Sequence, residues 1–116
     1  MTDRELLELA ALAAGVDLST RKWHGRWYVS PEPNIKNWNP LTDDGDALRL
    51  AAKLKIDIEW QATNPFPEPR VEAYQRNDEG THFCADEHEG DYRRAIVRAA
   101  AEVGKAMQQE HRRTTP

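Results

Sequence analysis

His82, Cys84, Asp86 and His88 follow one another at every second position, a spacing that could assemble a metal site. Alternate residues of a strand point to one face, so His82 and Cys84 would share a face, with the other two just beyond. Imidazole, thiolate and carboxylate groups are the ligands that zinc takes in proteins. The spacing matches no standard zinc module and no second cysteine pair is present. We therefore keep zinc, and a metal-dependent enzyme built on His82, Cys84 and His88, as alternatives to an ordinary strand end with one half-buried thiol.

Three carboxylates, Asp43, Asp44 and Asp46, lie together just after Pro40. They are oxygen ligands of the kind that a divalent cation prefers, but no glutamate follows at the offset that an EF-hand loop requires. Thr42 and Asp43 are also good N-cap residues, and acidic groups in a first turn oppose the positive end of the helix dipole. We interpret the aspartates as the start of a helix that continues to about Leu54.

A third group combines aromatic and basic side chains: Arg21, Trp23, Arg26 and Trp27. Aromatic rings beside arginines can stack the bases and contact the phosphates of single-stranded nucleic acid. The same residues also fit a hairpin that turns at His24–Gly25, buries tryptophan on one face and leaves arginine in water. We predict the hairpin and keep the single-stranded nucleic-acid surface as the alternative.

Helices are predicted at both ends of the chain. Thr2 and Glu5 form a capping box ahead of an almost continuous apolar run, and Gly15 is placed to end that first helix. Asp91 is placed to cap a last helix with an apolar stripe at steps of four and three. Gly104, one turn after Ala100, leaves a smooth patch, so we predict that the first or the central helix packs there. The same stripe would also suit a homodimer.

Strands are predicted between the central and last helices. Ile56 to Ala62 alternates apolar and polar residues, as a half-buried strand does. Val71 to Arg76 and Thr81 to Cys84 flank a turn at Asn77–Gly80, which predicts a hairpin. With one or two further strands near Trp27, the sheet is mostly antiparallel and has three to five strands.

The stretch Trp38-Asn39-Pro40-Leu41-Thr42-Asp43-Asp44-Gly45-Asp46-Ala47-Leu48-Arg49-Leu50-Ala51 resembles the signature of the phage ABA sandwich domain, a family of small phage and prophage proteins. The segments 1–15 and 93–104 resemble the opening and closing helices of the same family. The resemblance implies an α-β-α layered domain in a phage or lysogen genome. It implies no activity, so no catalytic residues are carried over.

Composition narrows the class of protein further. The chain has 116 residues, which suits one domain, and its net charge of −4 argues against general nucleic-acid binding. One cysteine excludes an internal disulfide framework, and no apolar run approaches the roughly 20 residues that cross a bilayer. Acidic residues among the first leucines do not fit a secretory signal or a transit peptide, so we expect a cytoplasmic protein of a bacterial host.

We therefore predict an α+β protein, an α-β-α layered sandwich with three main helices. Residues 1–107 form a single domain and residues 108–116 a polar tail that frays. Its function is predicted to be that of a phage or prophage accessory protein that binds another macromolecule without catalysis. The partner is a host or phage protein, with nucleic acid as the alternative; no cofactor and no membrane are expected.

Overall fold

The structure, a computed structural model, describes residues 2–16, 28–29, 36–61, 70–77, 80–87 and 91–114. The helices are α1 (Asp3–Ala14), α2 (Asp44–Leu54) and α3 (Tyr92–Thr114). The strands are β1 (Tyr28–Val29), β2 (Lys36–Asn37), β3 (Ile56–Gln61), β4 (Arg70–Asn77) and β5 (Gly80–Glu87). Three helices with antiparallel strands confirm the predicted α+β class.

Helix α1 begins and ends at the residues that the sequence predicts. The hydroxyl oxygen of Thr2 accepts a hydrogen bond from the Glu5 N–H at 3.1 Å, which satisfies one of the free donors of the first turn. Gly15 has a φ of +70°, and Val16 donates its N–H to the Ala11 carbonyl at 2.9 Å. This is the Schellman arrangement that glycine adopts without strain after a helix.

Helix α2 presents a narrower apolar face than its sequence pattern indicates. Ala47, Leu50 and Ala51 are buried, whereas Leu48 is 66% exposed. The helix ends at Lys55, which takes a left-handed conformation with φ 56° and ψ 48°. Because Lys55 carries a side chain, this turn lacks the freedom that glycine gives α1 at Gly15.

The main sheet has three antiparallel strands in the order β3-β4-β5, and β1 pairs with β2 in a separate two-stranded ribbon. In the main sheet Ile58 lies opposite Ala73, and Ala73 opposite Ala85. These residues share the face that packs on the helices, since Ala73 and Ala85 belong to the hydrophobic core and Ile58 packs against it. The alternate positions lie on the other face, which is mostly charged or polar: Asp57, Glu59, Glu72, Tyr74, Cys84 and Asp86.

Helix α3 packs against both of the other helices and against the main sheet. It contacts all three strands of the main sheet as well as α1 and α2. Six of its residues are no more than 1% exposed: Ala95, Ile96, Val97, Ala99, Ala100 and Ala101. A helix buried on so much of its circumference must be covered on more than one side. Ile96 and Ala99 of the predicted apolar stripe are therefore used inside the domain, while the homodimer stays a prediction. Helix α3 continues through the predicted tail as far as Thr114.

Helices α1 and α3 approach each other at Gly104, as the sequence predicts. A Cβ atom at Gly104 would lie 2.1 Å from the carbonyl oxygen of Leu9, so no side chain fits between the two backbones. Near the other end of the contact, Arg94 binds Asp3 through two hydrogen bonds of 3.0 and 3.2 Å. Because both contacts follow the same order along the chain, the two helices run parallel.

Candidate functional site

The stretch from Trp38 to Asp46 stabilises its own fold. The Asp46 side chain is only 2% exposed, and it accepts hydrogen bonds from the Asn39 N–H at 3.0 Å and from the Arg49 guanidinium at 2.7 Å. The Asn39 side-chain oxygen accepts the Leu41 N–H at 3.0 Å. Trp38 and Pro40, which belong to this stretch, are also buried. A buried carboxylate is tolerated only when it is hydrogen-bonded and paired, as Asp46 is.

The three aspartates of this stretch have structural roles, as the capping interpretation predicts. Asp43 accepts the Asp46 N–H at 2.8 Å and caps α2. Asp44 accepts hydrogen bonds from the Tyr92 hydroxyl and, at 2.9 Å, from the Arg93 guanidinium. Within the described ranges, no group of three histidine, cysteine, aspartate or glutamate residues is arranged to hold a metal ion. Capping and pairing therefore account for the carboxylates of Asp43, Asp44 and Asp46.

The other predicted site residues lie largely outside the described part of the chain. This applies to Arg21, Trp23, Arg26 and Trp27, to His88, and to the side chain of His82. Cys84 is described: its thiol is free and exposed, and the residue lies opposite Tyr74 on the polar face of the sheet. The zinc site, the nucleic-acid surface and the hairpin at His24–Gly25 stay predictions.

An ion-pair network joins the N-terminal ends of the three helices. Arg93 and Arg94 stand in the first turn of α3, where the helix dipole disfavours positive charge. Each is compensated by a carboxylate of another helix, Arg93 by Asp44 of α2 and Arg94 by Asp3 of α1. The Tyr92 hydrogen bond, together with Arg93, lowers the pKa of Asp44, and the same bond with desolvation raises the pKa of Tyr92.

An exposed aromatic group lies beside this network. Trp60, at the end of β3, is 58% exposed, and its ring centroid lies 6.2 Å from that of Tyr92 at an angle of 54°. The Arg93 guanidinium lies 5.4 Å from the centre of the Tyr92 ring. We call these residues, with Asp44, the Trp60 surface. The sequence did not reveal it, because strand alternation places Trp60 on the apolar face with Ile58 and does not show where the helical cover ends.

A row of like charges crosses the polar face of the sheet next to Trp60. Glu59, Glu72 and Asp86 lie directly opposite one another on three adjacent strands. Desolvation raises the pKa of Glu72, and so do its hydrogen bond to Asp86 and the negative charges of Asp86 and Glu59. No ion pair joins any of the three to a cation among the residues that the structure describes. Like charges directly opposite each other destabilise a sheet, so this row costs folding energy.

A groove of about 360 Å³ runs between β5 and the helices α1 and α3. It is lined by Leu6, Cys84, Ala85, Glu87, Arg94, Arg98 and Glu102. Its two arginines are already engaged, Arg94 with Asp3 and Arg98 with the Glu87 carboxylate and the Asp86 carbonyl. The Arg98–Glu87 pair therefore joins α3 to β5 along this groove, and the Arg94–Asp3 pair joins α3 to α1.

Comparison of the chain with protein-family models, with curated proteins and with solved structures finds no match in any of the three. Among the described residues, no helix combines the length and the apolar character needed to cross a bilayer.

Proposed function

We propose that this chain is a non-catalytic domain that binds another protein through the Trp60 surface. The observation that carries the proposal is the exposure of Trp60 beside Tyr92 and Arg93. Tryptophan, tyrosine and arginine are the residue types most enriched where truncation weakens protein–protein binding most. Burying a large aromatic side chain is worth roughly 1.5–3 kcal/mol, a gain that the isolated domain leaves largely unused at Trp60.

The neighbours of Trp60 are held in place before any partner arrives. Tyr92 and Arg93 both donate to the Asp44 carboxylate, which fixes their side chains between α2 and α3. A preorganised surface loses less side-chain entropy on binding than a mobile one. This supports Trp60 as an anchor whose surroundings need little rearrangement.

The biological setting is proposed from the sequence resemblance alone. The signature around Trp38 to Ala51 resembles the phage ABA sandwich domain, so we propose a phage or prophage accessory protein that acts in the cytoplasm of a bacterial host. The partner would then be a host or phage protein. The net charge of −4 favours a protein partner over nucleic acid.

The test is affinity capture from lysogen or infected-host lysate, with and without nuclease, using tagged wild-type protein and Trp60→Ala. The matched control is Met107→Ala, another exposed apolar residue, 15 positions after Tyr92 on α3 and hence about 22 Å further along the helix. We expect wild type and Met107→Ala to retain one polypeptide in near-stoichiometric amount after nuclease treatment, and Trp60→Ala to lose most of it.

Two results would contradict the proposal. Equal capture by wild type and Trp60→Ala would show that the Trp60 surface is not the binding site. Recovery of nucleic acid alone, sensitive to nuclease and weakened by salt, would instead favour the surface predicted at Arg21, Trp23, Arg26 and Trp27.

A further inference from the structure

Strand β3 forms one edge of the main sheet. In the order β3-β4-β5 it pairs with β4 on one side, and no strand pairs with its other side within the described residues. An edge strand offers a row of backbone donors and acceptors to an additional strand. Trp60 lies near the C-terminal end of this edge.

The two faces of β3 have opposite chemistry. Ile58 and Trp60 lie on the face directed towards the helices, where Ile58 is half-buried and Trp60 exposed. Asp57 and Glu59 lie on the polar face, and both are exposed. No described lysine or arginine forms an ion pair with either carboxylate. A strand added beside β3 would therefore meet apolar and acidic positions in strict alternation.

We propose that an extended partner segment binds as an additional strand along the edge of β3 that faces away from β4, with lysine or arginine opposite Asp57 and Glu59 and apolar residues opposite Ile58 and Trp60. This inference rests on the proposed function, because it names the partner segment that the Trp60 surface binds. Backbone hydrogen bonds supply affinity in this mode, and alternate side chains supply specificity. Opposite charges directly across two strands stabilise the pair.

The same charges argue against two other occupants of this edge. A second copy of the chain, paired antiparallel about Ile58, would bring Asp57 of one copy opposite Glu59 of the other, and an in-register parallel pair would oppose identical carboxylates. Both arrangements place like charges across two strands, which is destabilising. Nucleic acid would bring its phosphates towards the same carboxylates, as well as towards the Glu59–Glu72–Asp86 row. A basic, alternating polypeptide segment is the occupant that complements this edge.

The test uses the full chain and three fluorescein-labelled hexapeptide probes, with binding measured by fluorescence anisotropy. The first probe alternates lysine and valine, the second alternates glutamate and valine, and the third is the first with N-methyl groups at every backbone nitrogen, which blocks pairing at both edges of the peptide. We expect the lysine–valine probe to bind about tenfold or more tightly than either of the others, because the second reverses the charge pairs and the third blocks backbone pairing. Amide hydrogen exchange in β3 should slow only with the first probe.

A charge-reversed variant makes the test specific to β3. In Asp57→Lys with Glu59→Lys, the preference should invert towards the glutamate–valine probe. Its matched control, Glu8→Lys with Glu110→Lys, changes the net charge equally at exposed helical positions and should keep the wild-type preference. Equal binding of the N-methylated probe, or an unchanged preference in the β3 variant, would overturn strand addition.

The two proposals fail in different ways. If capture depends on Trp60 but the probes are not discriminated, strand addition is wrong while the Trp60 surface remains the binding site. If capture is indifferent to Trp60, the proposed function itself is wrong, whatever the probes do.

Discussion

Replacing Gly104 with alanine tests whether α1 and α3 meet backbone to backbone. The added methyl carbon would lie 2.1 Å from the carbonyl oxygen of Leu9 and 2.8 Å from its carbonyl carbon. Non-bonded heavy atoms rest at about 3.5–4 Å, so relief requires α1 to move by roughly 1 Å or more. Both obstructing atoms belong to the main chain of a helix, and neither can rotate away on its own.

The expected loss is the difference between two opposing effects. Overpacking a well-packed contact costs about 1–3 kcal/mol, and a main-chain overlap of this size belongs at the upper end. Alanine gains about 1 kcal/mol over glycine in helix propensity. We therefore expect Gly104→Ala to lower the free energy of unfolding by about 2 kcal/mol, which corresponds to a fall of roughly 8 °C in Tm for a domain of this size.

Two other glycines provide matched controls for the same substitution. At Gly45 the methyl group would meet only the ends of the Arg49 and Asp43 side chains, at 3.2 Å, so these side chains need to shift by only a few tenths of an ångström and can keep their hydrogen bonds to Asp46. Gly45→Ala should leave stability unchanged or raise it by up to about 1 kcal/mol. Gly15→Ala meets no atom within 4 Å but must adopt a φ of +70°, so it should lose about 1–2 kcal/mol through backbone strain alone.

Urea unfolding followed by far-UV circular dichroism measures the whole series, with the m-value checking that the transition stays two-state. We expect the order Gly45→Ala, wild type, Gly15→Ala, Gly104→Ala from most to least stable, with the last two close together. A Gly104→Ala protein as stable as wild type would refute the close approach of α1 and α3.

Three further predictions concern single carboxylates and the thiol. Asp46→Ala should lose about 2 kcal/mol in urea unfolding, because the Asn39 amide and the Arg49 guanidinium lose their common acceptor. Because the pKa of Glu72 is raised above its ordinary value of 4.5, the folded state binds this proton more tightly than the unfolded state. The contribution of Glu72 to the free energy of unfolding should therefore rise as pH falls from neutral through that raised pKa, opposite in sign to the contribution of Asp44, whose pKa is lowered. The Tm difference between wild type and Glu72→Gln should shift in favour of wild type as pH falls, and a difference that does not change with pH would contradict the prediction. Cys84 should react with a thiol reagent in the folded protein, because its side chain is exposed; protection that a chelator releases would support the zinc site instead.

The beginnings and ends of the helices follow from local chemistry, which is why the sequence predicts them. Thr2, Gly15 and Asp43 each act on backbone groups within a few residues of themselves. The same holds for the hairpin of β4 and β5, whose strands flank the predicted turn at Asn77–Gly80. Even the contact at Gly104 was predictable, because a missing side chain in an otherwise apolar helix indicates close approach. Only the choice of α1 over α2 as its neighbour needed the structure.

The candidate site was not predictable, because its members come from segments far apart in the chain. Tyr92 and Arg93 form hydrogen bonds with Asp44, although they lie 48 and 49 positions after it in the chain. The sequence indicates only that Asp46 is one more acidic residue in the first turn of a helix. In the structure its side chain is buried and accepts a hydrogen bond from the Asn39 N–H. The periodicity of the sequence places Leu48 and Trp60 on the apolar faces of their elements, which predicts that they belong to the core. Both side chains are exposed instead.

The sequence by itself determined where the helices begin, which residues alternate along the strands, and that the chain has the α+β class. These properties depend on interactions between residues that are close together along the chain, and the sequence shows directly which residues those are. Tertiary structure alone decided that α3 lies at the centre, that Glu59, Glu72 and Asp86 form one row, and that Trp60 remains exposed at a sheet edge. Periodicity indicates which residues share a face of a helix or strand. How much of that face is buried depends on where the helices that pack against it end.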